Sequence, residues 1–159
     1  MAIVLRVENL HKRFGHRDVL RGVSFEAHGG ECLALIGENG SGKTTLLRIL
    51  AYLLRPAAGN FLWLGVGGKP LTQAAARRRL GVVGHEAMLY GDLTVEQNLN
   101  LFARLYGEGA ASVERALAYW GLEKFRRCAV NALSRGLRQR AALSRAMLHA
   151  PDVLLLDEP

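Results

Sequence analysis

The sequence is poor in cysteine: it holds only Cys32 and Cys128, which form neither a C-x-x-C pair nor a disulfide framework. That scarcity excludes a disulfide-stapled secreted scaffold and fits a reducing compartment. No apolar run reaches the roughly 20 residues a membrane-spanning helix requires. The longest candidate, residues 52–66, is broken by Arg55, Pro56 and Asn60. The N-terminus places its apolar residues before its charges and lacks a small-residue cleavage site, so it does not read as a secretory signal. Long repeats, low-complexity tracts and proline-rich linkers are missing as well. Together these absences predict a soluble intracellular chain.

What is present suits one globular domain. The 159 residues are half apolar and 22% charged, enough for one sizeable core and too apolar for disorder. Lys and Arg number 21 against 14 Asp and Glu, a formal charge of +7. Arginine supplies most of it, in clusters at residues 77–79 and 126–127 and at Arg135, Arg138, Arg140 and Arg145. Such a charge suits nucleic acid, anionic phosphates, an acidic partner or a membrane-proximal surface, and by itself selects none of them.

Along the chain, residues 3–7 alternate like an edge strand, and residues 19–26 read as a second strand after the turn Gly15-His16. The continuous apolar run 31–36 predicts a strand buried on both faces. Helical spacing follows over about 43–54, then a strand at 60–64, a helix at 73–79 and a short strand at 80–83. Thr94 and Gln97 form a capping box for a helix reaching about Tyr106. A further helix is expected over 112–120, and another, capped by Ser134, up to His149. Residues 153–157 read as a final strand. The class is α/β.

Gly37-Glu38-Asn39-Gly40-Ser41-Gly42-Lys43-Thr44 matches G-x-x-x-x-G-K-[ST] in full, between a predicted strand and a predicted helix. Glycines let the backbone turn tightly and aim its amides inward, while the following helix presents its positive end to phosphate. Lys43 can reach the β- and γ-phosphates, the Thr44 hydroxyl can ligate Mg²⁺, and Thr45 extends the candidate set at the helix start. A second pattern, Val153-Leu154-Leu155-Leu156-Asp157, is an apolar strand ending in a carboxylate suited to Mg²⁺ or its water. Glu158 follows at the strand's carboxyl end, placed to orient or deprotonate a water.

With Leu133-Ser134-Arg135-Gly136-Leu137-Arg138-Gln139-Arg140 and the closing Asp157-Glu158-Pro159, the chain resembles the ATP-binding cassette (ABC) ATPases, whose signature reads LSGGQ. Arg135 stands for the first signature glycine and Leu137 for the glutamine. The resemblance implies a P-loop NTPase (RecA-like) core with an N-terminal antiparallel β subdomain and an inserted helical subdomain. Residues 1–84 and 150–159 would form the core and 85–149 the helical part. It implies ATP with Mg²⁺, sandwiched between two subunits, with Ser134 and Gly136 of one capping the γ-phosphate held by the other. Phe14 matches the aromatic position that stacks on adenine. No guanine-reading N-K-x-D element is present, which favours ATP.

His85 occupies the position where most of the family places a glutamine linking the γ-phosphate and metal to the helical subdomain. With Gly84-His85 and Ser134-Arg135-Gly136 the chain is similar to the ATP-binding subunits of bacterial haem exporters of cytochrome c biogenesis (CcmA-type). The partners implied are a membrane permease and a second ATPase subunit, on the inner face of the cell membrane. Residues 88–90 and Leu93 are candidates to receive the permease. A soluble ABC ATPase acting on ribosome or nucleic acid is the competing reading, but neither a second cassette nor a long coiled coil appears, so nucleic acid is not the expected partner. A nucleotide-binding module without turnover is the third. The sequence stops directly after its second carboxylate motif, before the next dimer-contacting loop and γ-phosphate-sensing histidine of the family. It therefore reads as a C-terminally incomplete cassette, expected to bind ATP weakly or to be unstable alone, and to turn ATP over poorly.

Overall fold

The structure, a computed structural model, describes residues 2–84 and 87–158. They fall into two compact units, Met1–Arg77 and Arg78–Pro159. Among the described residues no helix is long and apolar enough to cross a membrane.

In the first unit, β1 (Ile3–Phe14) and β2 (Arg17–His28) form an antiparallel hairpin around Gly15-His16, with Gly15 at φ +57°. β3 (Ala58–Trp63) pairs antiparallel with the other side of β1, giving the order β2-β1-β3. The edge-strand expectation for residues 3–7 is thus corrected: β1 is central, because β3 returns to its free side. Leu5, Val7, Leu10 and Leu20 are buried. α1 (Lys43–Leu50) buries Leu46, Ile49 and Leu50, the i, i+3, i+4 stripe of a helix packed on one side. It stops short of residue 54 because Tyr52 takes φ +58°. Two side chains then satisfy carbonyls at its end. Trp63 Nε1 donates to Leu50 O at 3.0 Å, and the Arg77 guanidinium, over the Tyr52 ring, donates to Tyr52 O at 2.7 Å. α2 (Gln73–Arg77) closes the unit.

Residues 31–36 form no strand, which corrects the expectation of a doubly buried one; Leu33 is 50% and Ile36 94% exposed. An apolar run becomes a buried strand only where neighbouring strands take its backbone groups and other elements cover its faces. Among the described residues no strand pairs with this segment.

In the second unit, α3 (Val95–Tyr106), α4 (Ala110–Tyr119) and α5 (Arg135–Met147) pack around Leu99, Ala103, Val113, Leu117, Leu122 and Val130. The Thr94–Gln97 capping box is present in both directions, at 3.1 and 2.9 Å. The parallel pair β4 (Leu80–Val83) and β5 (Val153–Leu156) lies against α5 through Val83, Ala142 and Ala146. Gly81 permits this approach: a Cβ there would stand 2.6 Å from Ala146 O and from Leu154 Cδ2. Leu155 is buried, whereas Leu154 and Leu156 are exposed. The result is a mixed α/β chain with an antiparallel N-terminal sheet, as expected from the sequence.

Candidate functional site

The phosphate-loop sequence folds as a glycine-dependent turn. Gly40 has φ +79° and Gly42 φ +101°, conformations that L side chains rarely adopt. Gly42 also caps the N-terminus of α1. A Cβ on it would lie 2.9 Å from Leu20 Cδ2 and 3.2 Å from Val19 O. The register of the hairpin shifts between Lys12 and Arg13, leaving Val19 as the extra residue of β2. That bulge seats Val19 and Leu20 against the loop. Lys43 Nζ folds back and donates to Gly37 O at 2.8 Å and Glu38 O at 2.9 Å. Ser41 N closes the turn onto Glu38 O at 3.2 Å, and Asn39 lies within it. Thr44 and Thr45, half-buried, stand in the first turn of α1, which holds no acidic side chain. The positive end of the helix dipole therefore meets an ammonium and two hydroxyls, a setting that suits an anion.

Phe14 ends β1 and is 50% exposed. Lys12 Nζ, fixed by donation to Arg55 O at 2.7 Å, lies 5.2 Å from the Phe14 ring centroid. A cation on an aromatic ring leaves a flat platform for a second ring to stack on.

The first unit thus holds Phe14 and the phosphate loop; the second holds Ser134, Gly136, Asp157 and Glu158. Asp157 is buried, and its N–H donates to Val83 O at 2.8 Å, extending the β4–β5 ladder by one residue. The two parallel strands therefore end side by side, at the edge where open α/β sheets carry their ligand groups. Glu158 is exposed and sits at φ +52°, an uncommon backbone for a non-glycine residue. His85 lies outside the described residues. Ser134 caps α5, its Oγ accepting a long 3.4 Å bond from Leu137 N. Arg135 and Gly136 are exposed, and a Cβ on Gly136 would meet nothing within 4 Å.

Residues 20–159 match the ABC transporter family model. The chain belongs to the ABC transporter family. It is 40% identical over 98% of its length to Nod factor export ATP-binding protein I of Ralstonia nicotianae, covering 50% of that protein. It is 38% identical over 98% of its length to the probable multidrug ABC transporter ATP-binding protein YbhF of Escherichia coli, covering 28% of it. The chain thus spans about half or less of the curated relatives it matches. Among solved structures it is similar to cbiO1 of Clostridium perfringens, part of the ABC transporter complex cbiONQ (TM-score 0.78, 27% identity, 99% of this chain and 66% of that one). It is also similar to an ATP-binding subunit of an ABC transporter (TM-score 0.83, 31% identity, 98% and 66%).

Several residues outside any motif shape the second unit of this ABC chain. Asn98, buried on α3, accepts from Tyr90 N at 2.8 Å and donates to the carbonyls of Tyr90, Leu93 and Thr94 at 2.9 to 3.3 Å. It thereby fixes residues 90–94. Within that segment's neighbourhood Tyr90 and Met88 are exposed while Leu89 packs on the helical core. Arg126 bridges Glu96 and Glu114 at 2.6 Å each, and its hydrogen bond holds the Glu96 carboxyl below its ordinary range. Arg145, buried, lies 5.3 Å from the Phe102 centroid and reaches Ala87 O at 3.4 Å. His149 stacks on Tyr106 at 3.7 Å, and burial pushes its imidazole down. The one sequence signal for Asn98 is an amide standing on the helix face that also carries Val95 and Leu99.

Proposed function

We propose that this chain binds Mg²⁺-ATP and hydrolyses it as the ATPase component of an ABC exporter, driving a membrane permease from the cytoplasmic face. The observation that carries the reading is the phosphate loop: left-handed glycines at 40 and 42, and Lys43 folded over the carbonyls of residues 37 and 38 at the start of α1. In this reading residues 37–45 hold the phosphates and Phe14 stacks on adenine. Glu158 orients and deprotonates the attacking water, and His85 links the γ-phosphate to a helical subdomain of residues 85–149 inserted in a core of 1–84 and 150–159. Ser134 and Gly136 face the γ-phosphate held by a second subunit. Gly136 supports this last role: packing within the chain has room for a Cβ there, so the glycine suits the close approach of something outside it.

In this reading Thr44 and Asp157 each offer a donor that suits Mg²⁺. A hydroxyl and a carboxylate are hard oxygen donors, and Mg²⁺ is typically held by one or two carboxylates together with substrate phosphates. Among the described residues no group of three His, Cys, Asp or Glu offers a competing metal cage. When bound, the ion would neutralise charge on the β- and γ-phosphate oxygens.

Export is the direction favoured by the names of the matched relatives, one of Nod factor and one of a probable multidrug transporter. Haem as cargo rests on Gly84-His85 and Ser134-Arg135-Gly136 alone. Deleting the gene separates the two: loss of covalently bound haem from c-type cytochromes supports haem export, and unchanged cytochromes exclude it. The ATPase reading itself is tested by calorimetry of this chain with Mg²⁺-ATP. Saturable binding that disappears in Lys43→Ala is expected. No binding by the unmodified chain, or equal binding by Lys43→Ala, would sink it.

A further inference from the structure

We propose that Arg17 is a second cation of the nucleotide-phosphate site, supplied by the β1–β2 hairpin rather than by the phosphate loop. This rests on the ATP reading above. Arg17 opens β2 and is the cross-strand partner of Phe14. Directly opposed residues of an antiparallel pair project from the same face of the sheet. The aromatic platform and the guanidinium therefore stand side by side, separated only by the turn Gly15-His16.

The far end of Arg17 already reaches the loop. Its Nη2 lies 3.6 Å from the point where a Cβ on Gly40 would stand. Gly40 is the glycine whose φ of +79° turns the loop, and Lys43 is held on the loop's first two carbonyls. Arg17 thus places a positive charge at the Gly40 turn, separate from the charge of Lys43. The neighbouring acid does not quench it: Asp18 pairs with Arg13, at 3.7 Å. Arg17 is exposed, so its five donors are open to an incoming anion.

A guanidinium at this place suits the oxyanions of a di- or triphosphate. Its planar fork binds phosphate through paired hydrogen bonds that an ammonium cannot reproduce. The hairpin would then read both ends of one ligand, the base through Phe14 and the phosphates through Arg17. The bulge at Val19 fixes the distance between hairpin and loop, since Val19 and Leu20 rest against Gly42.

The test compares two probes, Mg²⁺-ATP and inorganic tripolyphosphate, which has phosphates but no base. Binding is measured for the unmodified chain and for Arg17→Ala, Arg17→Lys and Phe14→Ala. Arg17→Ala is expected to weaken both probes about tenfold or more, the size of a lost charge-assisted contact. Arg17→Lys should recover part of that loss. Phe14→Ala should weaken ATP and spare tripolyphosphate. Tripolyphosphate binding that is unchanged in Arg17→Ala overturns the proposal, and so does a loss that Arg17→Lys does not relieve. Tripolyphosphate binding without ATP binding in the unmodified chain strikes the ATP reading and leaves Arg17 to be judged on tripolyphosphate alone.

Discussion

Gly42 meets two demands that a side chain cannot. Its φ of +101° is strained for any L residue, and a Cβ would press on Leu20 and on the Val19 carbonyl. Gly42→Ala is therefore expected to cost roughly 1–3 kcal/mol, read as a lower denaturation midpoint, and to weaken nucleotide binding more than its stability loss explains. Asn98 is the other residue on which much rests. Asn98→Ala leaves the Tyr90 N–H without its partner and takes a second donor from three carbonyls, so a loss of about 1–3 kcal/mol is expected. Hydrogen exchange should show faster opening of the segment around Tyr90 than elsewhere in the second unit. The two residues differ in how far the sequence announces them. The glycines and Lys43 recur at a spacing with one mechanical meaning, and the loop forms from neighbours in sequence. Asn98 and Arg17 matter through where α3 and the hairpin place them, and no local spacing encodes that.

At the scale of elements, α5 separates stability from function. Gly136 stands in its first turn with open space around it, so Gly136→Ala should raise helix stability, by up to about 0.5–1 kcal/mol. ATP hydrolysis is nevertheless expected to fall, and a melt run beside a phosphate-release assay checks both. The other end of α5 carries a pH dependence. Burial holds the His149 imidazole below its ordinary value of 6.5, partly offset by its bond to Leu80 O. The unfolded chain therefore binds the proton more readily than the folded one. Stability is complete above about pH 7 and declines as pH falls through the ordinary histidine range. Thermal melts at pH 5.5 and 7.5 should show this decline, and His149→Gln should flatten it. Helix boundaries were readable within a few residues because Thr94 and Ser134 cap locally and Gly107 and Gly121 end their helices in left-handed turns. Strand environments were not. Residues 3–7 look like an edge and lie at the centre, and residues 31–36 look buried and are exposed, because a strand's surroundings are set by segments remote in sequence.

For the whole molecule, the proposed sandwich predicts self-association that depends on nucleotide. Glu158→Gln with Mg²⁺-ATP is expected to shift the chain from monomer to dimer in light scattering, and Lys43→Ala to abolish the shift. A monomer under all conditions would count against the pairing of Ser134 and Gly136 with a neighbour's γ-phosphate. Part of the positive excess has particular places, Lys43 and Arg17 at the loop and Lys12 on Phe14, whereas Arg126 is taken up by two glutamates. The two bonds from Lys43 to the carbonyls of Gly37 and Glu38 have a consequence for binding itself. An arriving phosphate does not fill a vacancy; it trades places with carbonyls that already hold the ammonium. The net gain on binding would then be the difference between two sets of contacts, not the full worth of the new set. In the proposed ATPase cycle that smaller difference would ease the release of spent nucleotide, because the carbonyls stand ready to take the ammonium back.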